Sequence, residues 1–201
     1  MLTERRERRF RYVANRRQPD LTVILENVHD MHNIGAVLRT CDSVGIPMIY
    51  HLTTRPDHRF THFELGKRTS AGSKKWVDVH RYHDAAACMA AVRQHCDHIY
   101  ATHLGEDAVS LHELDLTQPV ALVFGNEKDG ITAETLALTD GNFIIPQVGF
   151  TQSLNISVAC AVSLYEALRQ RTVAGRYSDG SAAGETFYQK YKSIHEGKLP
   201  S

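Results

Sequence analysis

Short apolar runs alternate with helix-like segments along nearly the whole 201-residue chain. A short run that is apolar throughout is typical of a strand buried on both faces, as in a parallel sheet. We predict six strands from runs that are wholly or mostly apolar, at 21–25, 48–50, 76–79, 98–102, 120–124 and 142–145. Because helical segments separate most of them, the pattern predicts an α/β fold with a parallel sheet flanked by helices on both faces.

Four helices are predicted in the body of the chain, at 34–44, 84–95, 132–138 and 154–172. The last has apolar residues on more than one side, which a monomer of this size rarely buries completely. That helix is therefore either central or in contact with a second subunit. Short helical extensions are predicted at both ends, which divides the chain into a basic arm (1–18), a body (19–173) and a C-terminal extension (174–201).

Charge is unevenly distributed along the chain although the net charge is zero. Residues 1–17 contain seven arginines and two glutamates, which leaves +5 on this segment and −5 on the remainder. Such asymmetry suggests an arm that binds a polyanion such as nucleic acid. The use of arginine favours phosphate, because a guanidinium can donate two parallel hydrogen bonds. A solvated helix without a partner is the alternative.

Composition argues against several classes of protein. No apolar run approaches the length that crosses a bilayer, and residues 1–17 lack the apolar segment of a secretory signal. The histidines offer no set of three ligands in a motif that fixes metal geometry, so we expect no metal site. We expect free thiols in a cytoplasmic protein, because no C-x-x-C pair occurs among Cys41, Cys88, Cys96 and Cys160.

Two loops rich in glycine, amide and hydroxyl groups follow predicted strands, at 123–132 and 144–157. Each loop runs into a helix, so its polar groups lie at the carboxyl end of a strand, where α/β folds bind ligands. A loop that only reverses the chain does not need so many polar side chains between apolar runs. The pattern predicts a ligand site that includes Asn126, Glu127, Gln152, Ser153 and Asn155.

The first of these loops partly matches a phosphate-binding loop, G-x-x-x-x-G-K-[ST], over residues 125–132. Ile131 stands where the lysine must be, so the charge that neutralises the terminal phosphates is missing. This departure argues against an NTPase. No G-x-G-x-x-G motif follows a predicted strand either, so a dinucleotide site has no support.

A third stretch, Asn33 to Thr40, places Asn33 at a predicted helix N-cap and Arg39 among apolar helix positions. An arginine in such a position can belong to a functional site. It can also lie on the polar face of the helix and pair with Glu127 or Asp42. Taken alone, this stretch leaves both interpretations open.

In order, the three stretches resemble the signature motifs of the SpoU family of RNA ribose 2′-O-methyltransferases. Asn33–Thr40 is similar to the motif N-x-x-x-x-x-R-T. Val123–Thr132 is similar to a second motif with the core G-x-E-x-x-G. Ile145–Ser157 is similar to a third motif, I-P-x-x-G-x-x-Q-S-L-N-x-S. Residues 16–23, 101–104 and 165–171 also resemble the branch that methylates guanosine 18 in the D-loop of tRNA. Residues 149–151 read Gly-Phe-Thr where this branch usually has Gly-Met-Val, a local change expected to alter pocket packing.

The resemblance implies a C-terminal trefoil knot of the SPOUT type, a homodimer formed through the knot region and a tRNA substrate. It implies S-adenosylmethionine as the methyl donor, S-adenosylhomocysteine as the product and no metal. By resemblance, the cofactor contacts are Thr102, His103, Leu104, Gly105, Phe124, Gly125, Asn126, Ile144, Ile145, Pro146, Ser153 and Leu154.

The resemblance also assigns catalytic roles, with Arg39 as the residue that activates the 2′-hydroxyl. Asn33 and Glu127 are expected to orient Arg39 and the ribose, while Ser153 and Asn155 fix the third motif. We expect the RNA backbone to contact Arg8, Arg9, Arg11, Arg16, Arg17, Lys67, Arg68, Lys74 and Lys75. Two alternatives remain open: methylation of another RNA, such as rRNA or another tRNA position, and a non-catalytic RNA-binding factor on the same fold.

Overall fold

A computed structural model describes residues 2–55, 72–105, 107–178 and 183–199. Its centre is a seven-stranded sheet in the order β3-β2-β1-β6-β4-β7-β5, in which every pairing is parallel. The strands are β1 (Leu21–Glu26), β2 (Met48–Leu52), β3 (Asp78–Tyr82), β4 (His98–Thr102), β5 (Val109–Ser110), β6 (Val120–Phe124) and β7 (Gly141–Ile144). The predicted parallel α/β fold is confirmed.

Helices cover both faces of this sheet. They are α1 (Glu4–Ala14), α2 (Met31–Val44), α3 (Ala85–Val92), α4 (Ala133–Leu136), α5 (Ile156–Val173) and α6 (Gly184–His195), with 3₁₀ turns at Ser73–Lys75 and Leu111–Glu113. β1 and β6 are buried at every residue, which explains why β6 is apolar throughout and β1 is mostly apolar. No helix in the described part of the chain is long and apolar enough to cross a membrane.

Several predicted boundaries were wrong, each for a local reason. The third strand begins at Asp78 because Trp76 closes a 3₁₀ turn, its amide donating to the Ser73 carbonyl. Helix α2 begins at Met31, capped by the Asp30 side chain, which accepts a hydrogen bond from the His32 amide. Asn33 is therefore inside the first turn of α2 and is not its N-cap.

Two cores lie on opposite faces of the sheet. One forms where α2 and α5 pack against residues such as Val23 and Leu25 of β1. The other places α3 and α4 against Ile24 of the same strand. The four cysteines are buried and free, as predicted, and burial raises the pKa values of Cys88 and Cys96 to about 12.

The N-terminal segment does not extend freely into solvent. Helix α1 packs against α6, with Phe10 meeting Tyr191 edge-to-face at 6.0 Å between ring centroids. Arg17, which follows α1, is only 1% exposed and donates to Asp42 Oδ1 at 2.7 Å and to the Tyr191 hydroxyl. A buried, paired guanidinium cannot contact RNA in this arrangement, so the assignment of Arg17 as an RNA contact was wrong.

Helix α5 packs along α2 and leaves a stripe of apolar side chains exposed. The stripe consists of Val158, Val162 and Tyr165, which are 46%, 38% and 53% exposed and repeat at helical spacing. The two helices run in the same direction, since Asn33 meets Asn155 at one end and Ser43 meets Tyr165 at the other. The stripe therefore borders the surface of α2.

Candidate active site

Three loops at the carboxyl ends of β4, β6 and β7 enclose a cleft of about 590 Å³. This volume lies within the range of pockets that hold small organic ligands. The loops follow Thr102, Phe124 and Ile144, and the strands place them together because β4 lies between β6 and β7 in the sheet. The predicted loops of the second and third motifs thus share one site, although 20 residues separate the ends of their strands, Phe124 and Ile144.

Most of the predicted cofactor residues line this cleft. They are Thr102, His103, Leu104, Phe124, Gly125, Asn126, Ile144, Ile145, Ser153 and Leu154. Gly105 and Pro146 follow lining residues directly but do not line the cleft themselves. The walls combine apolar side chains with backbone groups of the three loops, a composition typical of sites for partly polar ligands.

A chain of hydrogen bonds joins the three motifs at the cleft. Asn155 Nδ2 donates to Asn33 Oδ1 at 3.1 Å, and Asn33 Nδ2 donates to Glu127 Oε1 at 2.6 Å. Asn155 also caps α5, since its side-chain oxygen accepts from the Ser157 amide at 2.9 Å. One asparagine on α2 therefore fixes both a carboxylate of the second motif and the start of α5.

A buried carboxylate that the sequence analysis missed forms hydrogen bonds with the end of the second motif. Glu26, fully buried at the end of β1, accepts hydrogen bonds from the Thr132 amide at 3.0 Å and from the Thr132 hydroxyl at 2.6 Å. It also accepts from the Thr135 hydroxyl at 2.8 Å. The available signal was a glutamate at the end of a mostly apolar strand, since a buried carboxylate requires such partners.

The amide side chain of the second motif is also anchored to the β1–α2 loop. Asn126 is buried and donates from Nδ2 to the Asn27 carbonyl at 2.9 Å, while its Oδ1 accepts from the Lys128 amide at 2.8 Å. Asn27 has a φ of 54°, a left-handed conformation that asparagine tolerates better than most residues. These bonds hold the loop that carries Glu127 at the cleft.

Arg39 does not line the cleft of its own chain. Six residues separate it from Asn33, so their side chains leave α2 about 120° apart around the helix axis. Arg39 is exposed. It pairs with neither suggested acid: the partner of Glu127 is Asn33 and that of Asp42 is Arg17. The alternative of a structural ion pair to Glu127 or Asp42 was therefore wrong.

The other predicted RNA contacts are distributed over one region near α1. Arg8, Arg9, Lys74 and Lys75 are exposed. Arg11 is exposed but engaged, with its guanidinium 3.9 Å from the centroid of the Tyr188 ring. Lys67 and Arg68 lie outside the described residues.

Within the residues that the structure describes, no group of three or more histidine, cysteine, aspartate or glutamate side chains could hold a metal ion.

The parallel sheet and the three joined motifs define a SpoU-type methylase. A sequence model of the SpoU rRNA Methylase family matches residues 20–165, so the chain belongs to this family. The tRNA (guanosine(18)-2′-O)-methyltransferase of Thermus thermophilus is 46% identical over 188 residues, which cover 94% of each chain.

Solved structures of proteins with related sequences have the same fold as this chain. The A. aeolicus TrmH/SpoU tRNA modifying enzyme matches with a TM-score of 0.84 at 33% identity and 98% coverage of both chains. The SpoU methyltransferase AviRb from Streptomyces viridochromogenes, in complex with its cofactor AdoMet, matches with a TM-score of 0.68 at 26% identity. That match covers 78% of this chain and 59% of AviRb.

Proposed function

We propose that this protein is an S-adenosylmethionine-dependent methyltransferase that methylates the ribose 2′-oxygen of guanosine 18 in the D-loop of tRNA. The observation that carries the proposal is the hydrogen-bond chain from Asn155 through Asn33 to Glu127 beside the cleft. It unites three family motifs in a chain that is 46% identical to a tRNA (guanosine(18)-2′-O)-methyltransferase. A tRNA substrate also favours action in the cytoplasm.

The cleft fits S-adenosylmethionine, which supplies an electrophilic methyl group when bound and leaves as S-adenosylhomocysteine. Leu104, Ile145 and Leu154 offer apolar surface for adenine and ribose. Glu127 brings a negative charge that suits a cationic ligand. The reaction transfers a methyl group without redox change, and the residues at the cleft are suited to positioning its reactants.

Arg39 is proposed to activate the ribose hydroxyl through its charge. A guanidinium is effectively always protonated in proteins, so it is a poor acceptor for the 2′-proton. Bound to the adjoining phosphate, it would stabilise the developing alkoxide and lower the pKa of the hydroxyl. Asn33 and Glu127 are proposed to position the ribose, and Ser153 and Asn155 to hold the third motif.

We propose that the protein acts as a homodimer with the exposed stripe of α5 in the interface. Val158, Val162 and Tyr165 form an apolar surface of the kind that a second copy covers. Arg39 lies on the neighbouring surface of α2, so this interface would bring Arg39 to the partner's cleft. The trefoil knot is proposed for the segment from β7 to α5, which returns from near the sheet edge to pack on α2.

A methyl group added at Gly125 is expected to weaken cofactor binding. A Cβ at this position would lie 2.3 Å from the Gly130 carbonyl carbon and 2.6 Å from the Ile131 nitrogen, so the loop of the second motif must shift. We expect Gly125→Ala to raise the Kd for S-adenosylmethionine on the order of 10- to 100-fold, measured by calorimetry. Gly149→Ala is the control, because its added Cβ meets nothing within 4 Å. Equal affinities for the two variants would contradict this role of Gly125.

Methyl transfer from labelled S-adenosylmethionine to an unmodified tRNA transcript tests the proposed function. We expect one 2′-O-methylguanosine at position 18, located by mapping the modified nucleotide. Transcripts with guanosine 18 replaced by 2′-deoxyguanosine should accept no label, because the acceptor oxygen is missing. Cofactor binding without transfer to tRNA, but with transfer to rRNA fragments, would redirect the activity to another RNA.

A further inference from the structure

A second cavity of about 660 Å³ lies between α1, the last turn of α2, α5 and α6. None of its lining residues lines the cleft of the proposed active site. Its walls carry aromatic rings and guanidinium groups, among them Tyr12, Trp76, Arg9 and Arg16. The sequence analysis assigned this region only to contacts with the RNA backbone, a role that requires charge but no aromatic cavity.

Tyr12 presents an exposed aromatic ring with two cations close to it. Its side chain is 51% exposed, the Arg16 guanidinium carbon lies 3.8 Å from the ring centroid, and that of Arg9 lies 5.5 Å away. Arg16 also donates from Nη1 to the Tyr12 carbonyl at 3.2 Å, which fixes its position. Aromatic rings combined with arginine are the recurring platform on which proteins stack unpaired nucleobases.

Trp76 forms a rigid wall of the same cavity. It is half-buried, and its ring makes edge contacts with Phe10 and Tyr191 at centroid distances of 5.8 Å and 5.4 Å. Trp76 is the single tryptophan of the chain. All tryptophan fluorescence of the protein therefore comes from the wall of this cavity.

The charges of the cavity favour a ligand with an aromatic body and an anionic edge. Arg17 and Asp42 on the inner wall neutralise each other in a 2.7 Å ion pair, which leaves no excess positive charge there to attract a phosphate. Arg9, which is exposed beside the Tyr12 ring, adds a positive charge there. A nucleotide satisfies both conditions, with its base inside and its phosphate at Arg9.

The cavity also lies on the surface that carries the proposed catalytic arginine. Ser43 lines the cavity and is one helical turn from Arg39, so both side chains leave α2 on the same face. We propose that the cavity binds an unpaired nucleobase of the RNA substrate, stacked on Tyr12, at a nucleotide other than the one that is methylated. This inference rests on the proposed function, because it takes the ligand to be part of the same RNA.

Substitution of Tyr12 tests the inference in the full-length protein. Tyr12→Ala removes the stacking ring from an exposed position, whereas Tyr12→Phe keeps the ring. We expect Tyr12→Ala to weaken binding of an unmodified tRNA transcript roughly 5- to 150-fold, and Tyr12→Phe to bind like the wild type. The same loss should appear in KM, with kcat and the affinity for S-adenosylmethionine little changed.

Trp76 emission provides a second, direct measurement. Saturating tRNA transcript should quench it in the wild type and in Tyr12→Phe. The control is Arg8→Gln, which removes an exposed charge on α1 outside the cavity. This variant should reduce the slope of the logarithm of the RNA binding constant against the logarithm of salt concentration by roughly 0.7–0.9 per lost phosphate contact. Quenching of Trp76 should be retained at saturation.

The possible outcomes separate this inference from the proposed function. Unchanged Trp76 emission at saturating tRNA, or wild-type KM for Tyr12→Ala, would overturn the base-binding cavity while methyl transfer stands. Emission that depends on protein concentration and not on RNA would identify the occupant as a second copy of the chain, which also overturns it. Failure of methyl transfer to every RNA, with Trp76 still quenched by tRNA, would instead count against the proposed function alone.

Discussion

Arg39→Ala is expected to lower kcat for methyl transfer on the order of 10²- to 10³-fold, the contribution typical of a group that stabilises developing negative charge. The exposed guanidinium is the group proposed to hold the adjoining phosphate and stabilise the developing alkoxide. Cofactor binding should be unchanged, because the proposed contacts of Arg39 are with the RNA and Arg39 does not line the cleft of its own chain. Single-turnover methyl transfer with saturating tRNA measures the effect without interference from weaker RNA binding.

Arg39→Lys separates charge from proton acceptance. A lysine keeps the positive charge but loses the planar pair of donors, so we expect activity between those of the wild type and Arg39→Ala. If Arg39 acts only through its charge, the lysine variant retains part of the rate across the pH range. Complete loss at every pH, with intact RNA binding, would contradict a purely electrostatic role.

A mixed dimer tests which cleft Arg39 serves. A heterodimer that pairs an Arg39→Ala chain with a Gly125→Ala chain has one intact site if Arg39 acts on the partner's cleft. It should then show about half of the wild-type rate, because a symmetric dimer has two equivalent sites. If each Arg39 serves its own cleft, both sites are defective and the heterodimer is as inactive as its parents.

The sheet could be predicted from sequence because its central strands are mostly apolar, and β6 is apolar at every residue. β5 could not, since Val109–Ser110 is too short to form a recognisable pattern. Motif resemblance identified Asn33, Glu127 and Asn155 as one group. Their contacts span 94 and 122 residues, a distance over which local patterns carry no geometric information.

Charged residues were the least predictable from sequence, because a guanidinium looks the same whether it is buried or exposed. The arginine-rich composition of residues 1–17 suggested one continuous RNA-binding arm. The side chain of Arg17 is instead buried. Its partners are Asp42, 25 residues away in sequence, and Tyr191, 174 residues away. Glu26 was missed for the same reason, since its threonine partners follow it by more than 100 residues.

Arg171→Ala is expected to reduce the free energy of unfolding by about 3–5 kcal/mol, because it removes a fully buried guanidinium that satisfies several acceptors at once. Arg171 has no exposed surface and joins α5 to the segments that precede β1 and β6. It donates to Asp20 Oδ1 at 2.7 Å, to Gln18 Oε1 at 3.0 Å and to the carbonyls of Leu116 at 2.8 Å and Gln118 at 2.6 Å. Alanine would leave Gln18 Oε1 and the two carbonyls without this donor, while Asp20 keeps the longer 3.7 Å contact with Arg176.

Arg169→Ala is the matched control for this loss, because it removes an arginine two residues earlier on the same helix. Arg169 is exposed and bonds only to Glu166 among the described residues. Exposed ion pairs contribute little to stability, so its urea midpoint should remain close to that of the wild type. Both variants should be measured at one protein concentration, since dimerisation would stabilise the folded chain by mass action. Equal midpoints for Arg171→Ala and Arg169→Ala would show that the buried arginine does not hold α5 to the sheet.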